Sequence, residues 1–157
     1  MIQRIQTIFL ALVVIIGILA SFFPIISFTD GEFTFVMNLY KTVAAEDVSS
    51  ILKKNMGVGA LQGIVMVVAL IAIFLFKNRG LQIKIGKLLI LLIAFQIAAV
   101  VMYSDAIKSA MEKPVEEVLV SFKAGAVLPV VSLICAYLAV HFIKKDDKLV
   151  RSADRLR

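Results

Sequence analysis

Four long stretches of this chain carry no Asp, Glu, Lys or Arg, and that pattern limits its possible folds more than any motif does. Arg4 and Asp30 bracket the first stretch, Lys54 and Lys77 the second, Lys87 and Asp105 the third, Lys123 and Lys144 the fourth. The enclosed intervals 5–29, 55–76, 88–104 and 124–143 are 25, 22, 17 and 20 residues long. A helix that crosses about 30 Å of hydrocarbon needs roughly 20 apolar residues. The expected fold is an all-α integral membrane protein: a four-transmembrane-helix bundle in a single domain, residues 1–157. Its spans are expected at about 7–28, 58–76, 83–104 and 124–143, followed by a basic cytoplasmic tail at 144–157.

Composition agrees. A hydrophobic share of 61% and a mean hydropathy of +1.00 lie well above the roughly 45–50% apolar share of soluble domains. Four spans with short connections use most of 157 residues, which leaves no room for a separate soluble domain. The single cysteine, Cys135, falls in the middle of the fourth span. It reads as a small buried apolar residue and says nothing about redox compartment. The first apolar run is longer than a signal-peptide core of roughly 7–15 residues. Ala20-Ser21-Phe22-Phe23-Pro24 also lacks a clean small-x-small cleavage site, so this run is kept as the first span.

Orientation follows from the loop charges. Grouping alternate segments puts eleven Lys/Arg on one side and six on the other. Basic loops stay on the cytoplasmic side, so both termini and the Lys77–Lys87 connection are expected there. The longer loops, 29–57 and 104–123, then face outward.

Several local signals lie along the chain. Pro24 sits near the outer end of the first span, where proline kinks or stops a helix. Asp30-Gly31, flanked by aromatics, is a hairpin signal, and Phe33, Phe35, Met37 and Leu39 alternate as a half-buried strand would. A short extracytoplasmic β-hairpin and an irregular loop on the membrane surface both fit this segment. Glu46-Asp47 before Val48–Lys54 predicts a short helix. Gly59 and Gly63, four apart, give the second span a smooth face for helix packing, within the chain or against a second copy. Lys113-Pro114-Val115-Glu116-Glu117 is a helix-start signal, so the helix that carries the fourth span is expected to begin at Pro114, project outward before crossing, and bend at Pro129.

Catalytic chemistry is not visible. No acid or base occupies the interior of any span, where proton relays and ion sites keep such residues. His141, the only histidine, lies near the cytoplasmic end of the fourth span without converging ligands, so no metal site is expected. No catalytic residue and no cofactor site can be assigned, and the chain is expected not to be an enzyme. The net charge of +6 is accounted for by topology, without nucleic acid. Two amides remain inside the spans, Gln62 and Gln96, which the hairpin of the second and third spans brings within reach of each other. They read as helix-packing residues joined by an interhelical hydrogen bond.

The tail from Lys144 to Arg157 places Leu149, Ala153 and Leu156 on one helical face beside Arg151 and Arg155. A basic amphipathic segment of this kind suits the anionic inner leaflet. Together with the opening Met1-Ile2-Gln3-Arg4-Ile5-Gln6-Thr7, the closing Lys-Lys-Asp-Asp-Lys-Leu-Val-Arg-Ser-Ala-Asp-Arg-Leu-Arg resembles the two ends of a small Bacteroidetes membrane family, domain of unknown function 4293. The resemblance covers the whole chain. It implies a bacterial inner-membrane location and brings no activity, cofactor or catalytic residue with it. Arg4, Lys148, Arg151, Arg155 and Arg157 are the expected contacts to lipid or partner at the cytoplasmic face, with Arg4 facing Asp147 or Asp154.

Three readings of function follow. One is a non-enzymatic scaffold or accessory subunit, acting on an unidentified membrane protein, on itself or on lipid. Another is a small transporter or channel for a neutral or apolar solute. A third, a bundle bearing an extracellular sheet as claudin-like proteins do, is an analogy of architecture alone.

Overall fold

The computed structural model describes residues 3–30, 33–45, 51–109 and 118–154. These form four α-helices and five β-strands. In chain order they are α1 (Gln3–Phe22), β1 (Ile26–Asp30), β2 (Phe33–Met37), β3 (Lys41–Ala44), β4 (Ile51–Lys54), α2 (Met56–Phe74), α3 (Arg79–Lys108), β5 (Leu119–Phe122) and α4 (Ala124–Asp154). A 3₁₀ turn, Leu75–Lys77, and Asn78 link α2 to α3, and the Asn78 side chain caps α3 by accepting from the Leu81 N–H at 3.3 Å.

Each helix packs on two others, α1 on α2 and α4, and α3 on α2 and α4, which closes an up-down-up-down bundle. Windows in all four are long and apolar enough to cross a membrane: Ile5–Phe22, Met56–Lys77, Arg79–Lys108 and Ala124–Val150. Small side chains set the close approach in one half of the bundle. Ala69, Ala72, Ala136 and Ala139 are buried among Leu10, Val13, Leu89, Ile93 and Cys135. A Cβ at Gly86 would come 2.5 Å from Val140 Cγ2, so α3 and α4 meet there at glycine distance.

The fold is mostly helical rather than all-α, because the outer segments build a sheet. All strand pairs are antiparallel, in the order β4-β3-β2-β1-β5. The hairpin read from Asp30-Gly31 is present as β1–β2, with Asp30 opposite Phe33. Alternation gives this sheet two faces. Ile26, Phe28 and Met37 are buried with Ile25, Leu39, Val58, Val100, Ile107 and Val118, the core of the sheet-capped half of the bundle. On the other face the hydroxyls of Thr29 and Thr34 lie 3.4 Å apart.

Three local expectations give way to this sheet. The first span does not stay helical to residue 28: α1 ends at Phe22, because Pro24 lacks an N–H and disfavours helix at the residue before it. Ile25 N–H then donates to Met37 O at 2.9 Å and starts the ladder. The helix expected at 48–54 is strand β4 over Ile51–Lys54. A seven-residue helix is marginal by itself, whereas pairing with β3 satisfies the backbone, and Asn55 N–H extends it to Tyr40 O at 2.7 Å. Pro114 lies outside the described residues, and the helix expected to run from it into the fourth span is interrupted after it. Leu119–Phe122 pairs with the free edge of β1, and α4 starts only at Ala124.

Asn55 anchors the sheet to α2. Its fully buried side chain donates to Thr42 Oγ1 at 2.9 Å and to Asn38 O at 3.2 Å, while its carbonyl accepts from Val58 at the start of the helix.

Candidate functional site

The amides of Gln62 and Gln96 meet inside the bundle. Gln96 Nε2 donates to Gln62 Oε1 at 2.5 Å, and both residues are buried. Glycine on a third helix makes room for them: a Cβ at Gly17 would stand 2.5 Å from Gln62 Nε2 and 3.0 Å from Met66 Cγ. Removing one partner leaves the other amide unpaired in an apolar layer. Gln62→Leu and Gln96→Leu are therefore each expected to destabilise the bundle, with a coupling of about 0.6 kcal/mol and no more than about 1.7 in a double-mutant cycle. Unfolding in mixed detergent micelles measures it.

Gly59 and Gly63 do not share one packing surface. Gly59 is buried against the ring of Tyr40, whose Cε1 would lie 2.6 Å from an added Cβ, and the Tyr40 hydroxyl donates to Ser21 Oγ at 3.2 Å. Gly63 has nothing within 4 Å of an added Cβ. Spacing alone could not separate these two roles, since the cover over Gly59 comes from the β2–β3 turn. Gly63→Ala is accordingly expected to be neutral or to stabilise by up to about 1 kcal/mol, the helix-propensity difference, read as the thermal midpoint.

At the opposite pole the helix ends are tied together. Arg79 pairs with Asp146 at 3.2 Å and also donates to the Asp146 carbonyl at 3.3 Å. Gln82 Nε2 donates to Ala72 O at 2.9 Å, and Gln6 Nε2 to Phe142 O at 3.4 Å. α4 continues through the basic segment as far as Asp154, with Lys148, Leu149 and Val150 exposed. The side chains of Arg4, Arg151, Arg155 and Arg157, and with them the expected pairing of Arg4, lie outside the described residues. His141 is exposed between Tyr137 and Phe142, with ring centroids at 6.5 and 5.8 Å. Among the described residues no three His, Cys, Asp or Glu converge.

Sequence reasoning missed a concave feature at the sheet end. A cleft of about 250 Å³ opens where α3 and α4 separate beneath β1 and β5. Ile97, Val100 and Val101 of α3, Ala126 and Pro129 of α4, and Ile26 of β1 form its apolar wall. Among the described residues its polar side chains sit together on α3: Ser104, Asp105 and Lys108, the last two paired at 3.6 Å. Pro129, in the second turn of α4, cannot donate to the Gly125 carbonyl. Gly125 in turn seats α4 against the end of α1: its N–H donates to Pro24 O at 2.9 Å, next to Lys123 N–H on Ile25 O at 2.9 Å. The sequence signal was the Asp105/Lys108 spacing of three, which on a helix brings both charges to one side.

A family model described as "Domain of unknown function (DUF4293)" matches residues 2–156. No curated protein matches the chain.

Proposed function

The chain belongs to the DUF4293 family, and we propose that it is a multi-pass membrane protein that acts through contacts rather than through chemistry of its own. Insertion is supported by what the bundle leaves outside. Ile8, Ile15, Ile64, Val67, Leu91, Phe95, Val127 and Ile134 point away from the core on all four helices, an apolar belt far beyond what a monomer exposes to water. The 22 residues Met56–Lys77 span about 33 Å as helix, close to the hydrocarbon thickness. At one end Lys77 lies 6.0 Å from the ring of Phe76, a lysine placed to carry its charge to the headgroups.

The helix directions put the start of α1, the end of α4 and the Asn78 turn at one pole and the sheet at the other. Eleven of the basic residues belong to the first pole and six to the second, which supports cytoplasmic termini in a bacterial inner membrane and an extracytoplasmic sheet. Lys144, Lys145, Lys148, Arg151, Arg155 and Arg157 would then meet anionic headgroups, each contributing about 1 kcal/mol near the surface.

The observation that carries the contact reading is the use made of the buried amides. Gln6, Gln62, Gln82 and Gln96 are all hydrogen-bonded within the chain, so they serve as ties between helices. Protein partners or a second copy then have the sheet, the tail and the lipid-facing helix surfaces to bind, as for a scaffold or accessory subunit.

Purification from the membrane in lipid nanodiscs, with mass spectrometry of what co-purifies, tests this. A stoichiometric partner protein supports it, and loss of that partner on deleting residues 148–157 would assign the contact to the tail. A second reading, passage of a neutral or apolar solute, draws on the cleft beside Pro129. Flux of a solute panel into proteoliposomes, abolished by filling that cleft, would favour it over the first.

A further inference from the structure

We infer that the cleft between α3, α4 and the sheet holds one ethanolamine phospholipid of the leaflet on the sheet side, with an acyl chain in its apolar part and the headgroup on Asp105 and Lys108. The inference rests on the membrane placement proposed above and names the ligand class of that site.

Geometry comes first. Asp105 is the first charge after the uncharged run 88–104 and so marks the interface on α3. Ile97, eight residues earlier, then lies about 12 Å deeper, within hydrocarbon. The cleft thus extends from headgroup level into the acyl region, polar at one end and apolar along the rest. Its volume of about 250 Å³ is below the roughly 300–1,000 Å³ of sites that enclose a whole drug-sized ligand. It suits part of a chain whose remainder stays in the bilayer.

Charge selects the headgroup. Helical side chains lean towards the helix N-terminus, so Lys108 reaches back to the level of Asp105, 3.6 Å from its carboxylate. Lys108 is three-quarters covered and Asp105 mostly exposed. With Asp105 open to solvent, a helix pair at this spacing is weak, so a ligand that replaces both partners displaces little. A phosphate on Lys108 and an ammonium on Asp105 do so. An anionic lipid leaves Asp105 facing its own sign, and a cationic amphiphile does the same to Lys108. A quaternary ammonium is best held by a cage of aromatic faces, and among the described residues the lining supplies one ring, Phe122. A primary ammonium instead donates hydrogen bonds to the carboxylate.

The test is native mass spectrometry of the full chain released from nanodiscs made with equal ethanolamine, choline and glycerol phospholipids. The expected result is one retained ethanolamine phospholipid per chain, favoured about tenfold over the glycerol lipid. Ala126→Leu, which fills the cleft, should lower retention about tenfold. Lys108→Gln, which removes the charge and keeps most of the stem, should abolish the headgroup preference. Gly63→Ala, on the open face of α2, should change neither. No retained lipid, equal retention of the three headgroups, or retention indifferent to both Ala126→Leu and Lys108→Gln overturns the assignment. Capture of a partner protein without lipid overturns it too, while leaving the contact reading standing. A chain that fails to enter nanodiscs at all contradicts the membrane placement.

Discussion

Gly125→Val is expected to prevent stable folding, and Gly125→Ala to cost almost as much. The reason is the seat of α4 on the end of α1. A Cβ at this position would strike the Pro24 carbonyl oxygen and stand 2.8 Å from Pro24 C and 2.9 Å from Phe23 O. All three are backbone atoms, so no rotamer change relieves the contact. Pro24 is held on one side by α1 and on the other by the ladder beginning at Ile25. Relief therefore requires moving α4, which unseats the Gly125 and Lys123 bonds to Pro24 and Ile25 and widens the cleft. Overpacking ordinarily costs about 1–3 kcal/mol, and with no flexible neighbour to yield, about 3 kcal/mol or more is expected. Size-exclusion chromatography of detergent extracts would show the loss as aggregated or missing protein. Gly63→Ala, measured alongside, controls for a general intolerance of glycine substitution.

Phe28→Ala carries the other large effect. Phe28 is fully buried at the centre of β1, opposite Phe35 on one side and Val120 on the other. Truncation removes the ring that joins three strands to the helix ends, and such a change costs about 3–5 kcal/mol. The sheet and the membrane-length helices should not suffer equally. The small-residue core around Ala69 and Ala136 is a cluster separate from the one that holds Phe28, so the sheet is expected to open locally first. Limited trypsinolysis would then cut at Lys41, Lys54 and Lys123 well before the bundle unfolds. Simultaneous loss of both would show that sheet and bundle form a single cooperative unit.

What could be read beforehand divides by the range of the interaction. The four helices were legible because a bilayer-length run without charge is a local property. The Gln62–Gln96 contact was legible because a tight turn at Asn78 fixes how two neighbouring helices align. The β1–β2 hairpin was marked by its own Asp30-Gly31. The remaining strands were not. β3, β4 and β5 are four residues each, too short for alternation to stand out, and β5 pairs with a strand more than ninety positions earlier, Ser27 with Ser121. Acidic and proline signals around 46–54 and 114–117 favour helix locally, and tertiary pairing overrides them where the residues are described. The cleft was hidden for the same reason: one wall comes from β1, another from α4, and its charged pair looked like ordinary loop residues. Gly125 reads as an unremarkable glycine until Pro24, a hundred residues away, is placed against it.

Cysteine accessibility tests the two-pole arrangement on which everything else rests. Cys135 would be replaced by alanine, and single cysteines placed at Ser109 and Ser152, both exposed and at opposite poles. A membrane-impermeant maleimide is then applied to intact and to permeabilised bacterial spheroplasts. Ser109→Cys is expected to label in intact spheroplasts and Ser152→Cys only after permeabilisation. The reverse pattern would invert the protein in its membrane, and labelling of both positions in intact spheroplasts would contradict the four-span arrangement itself.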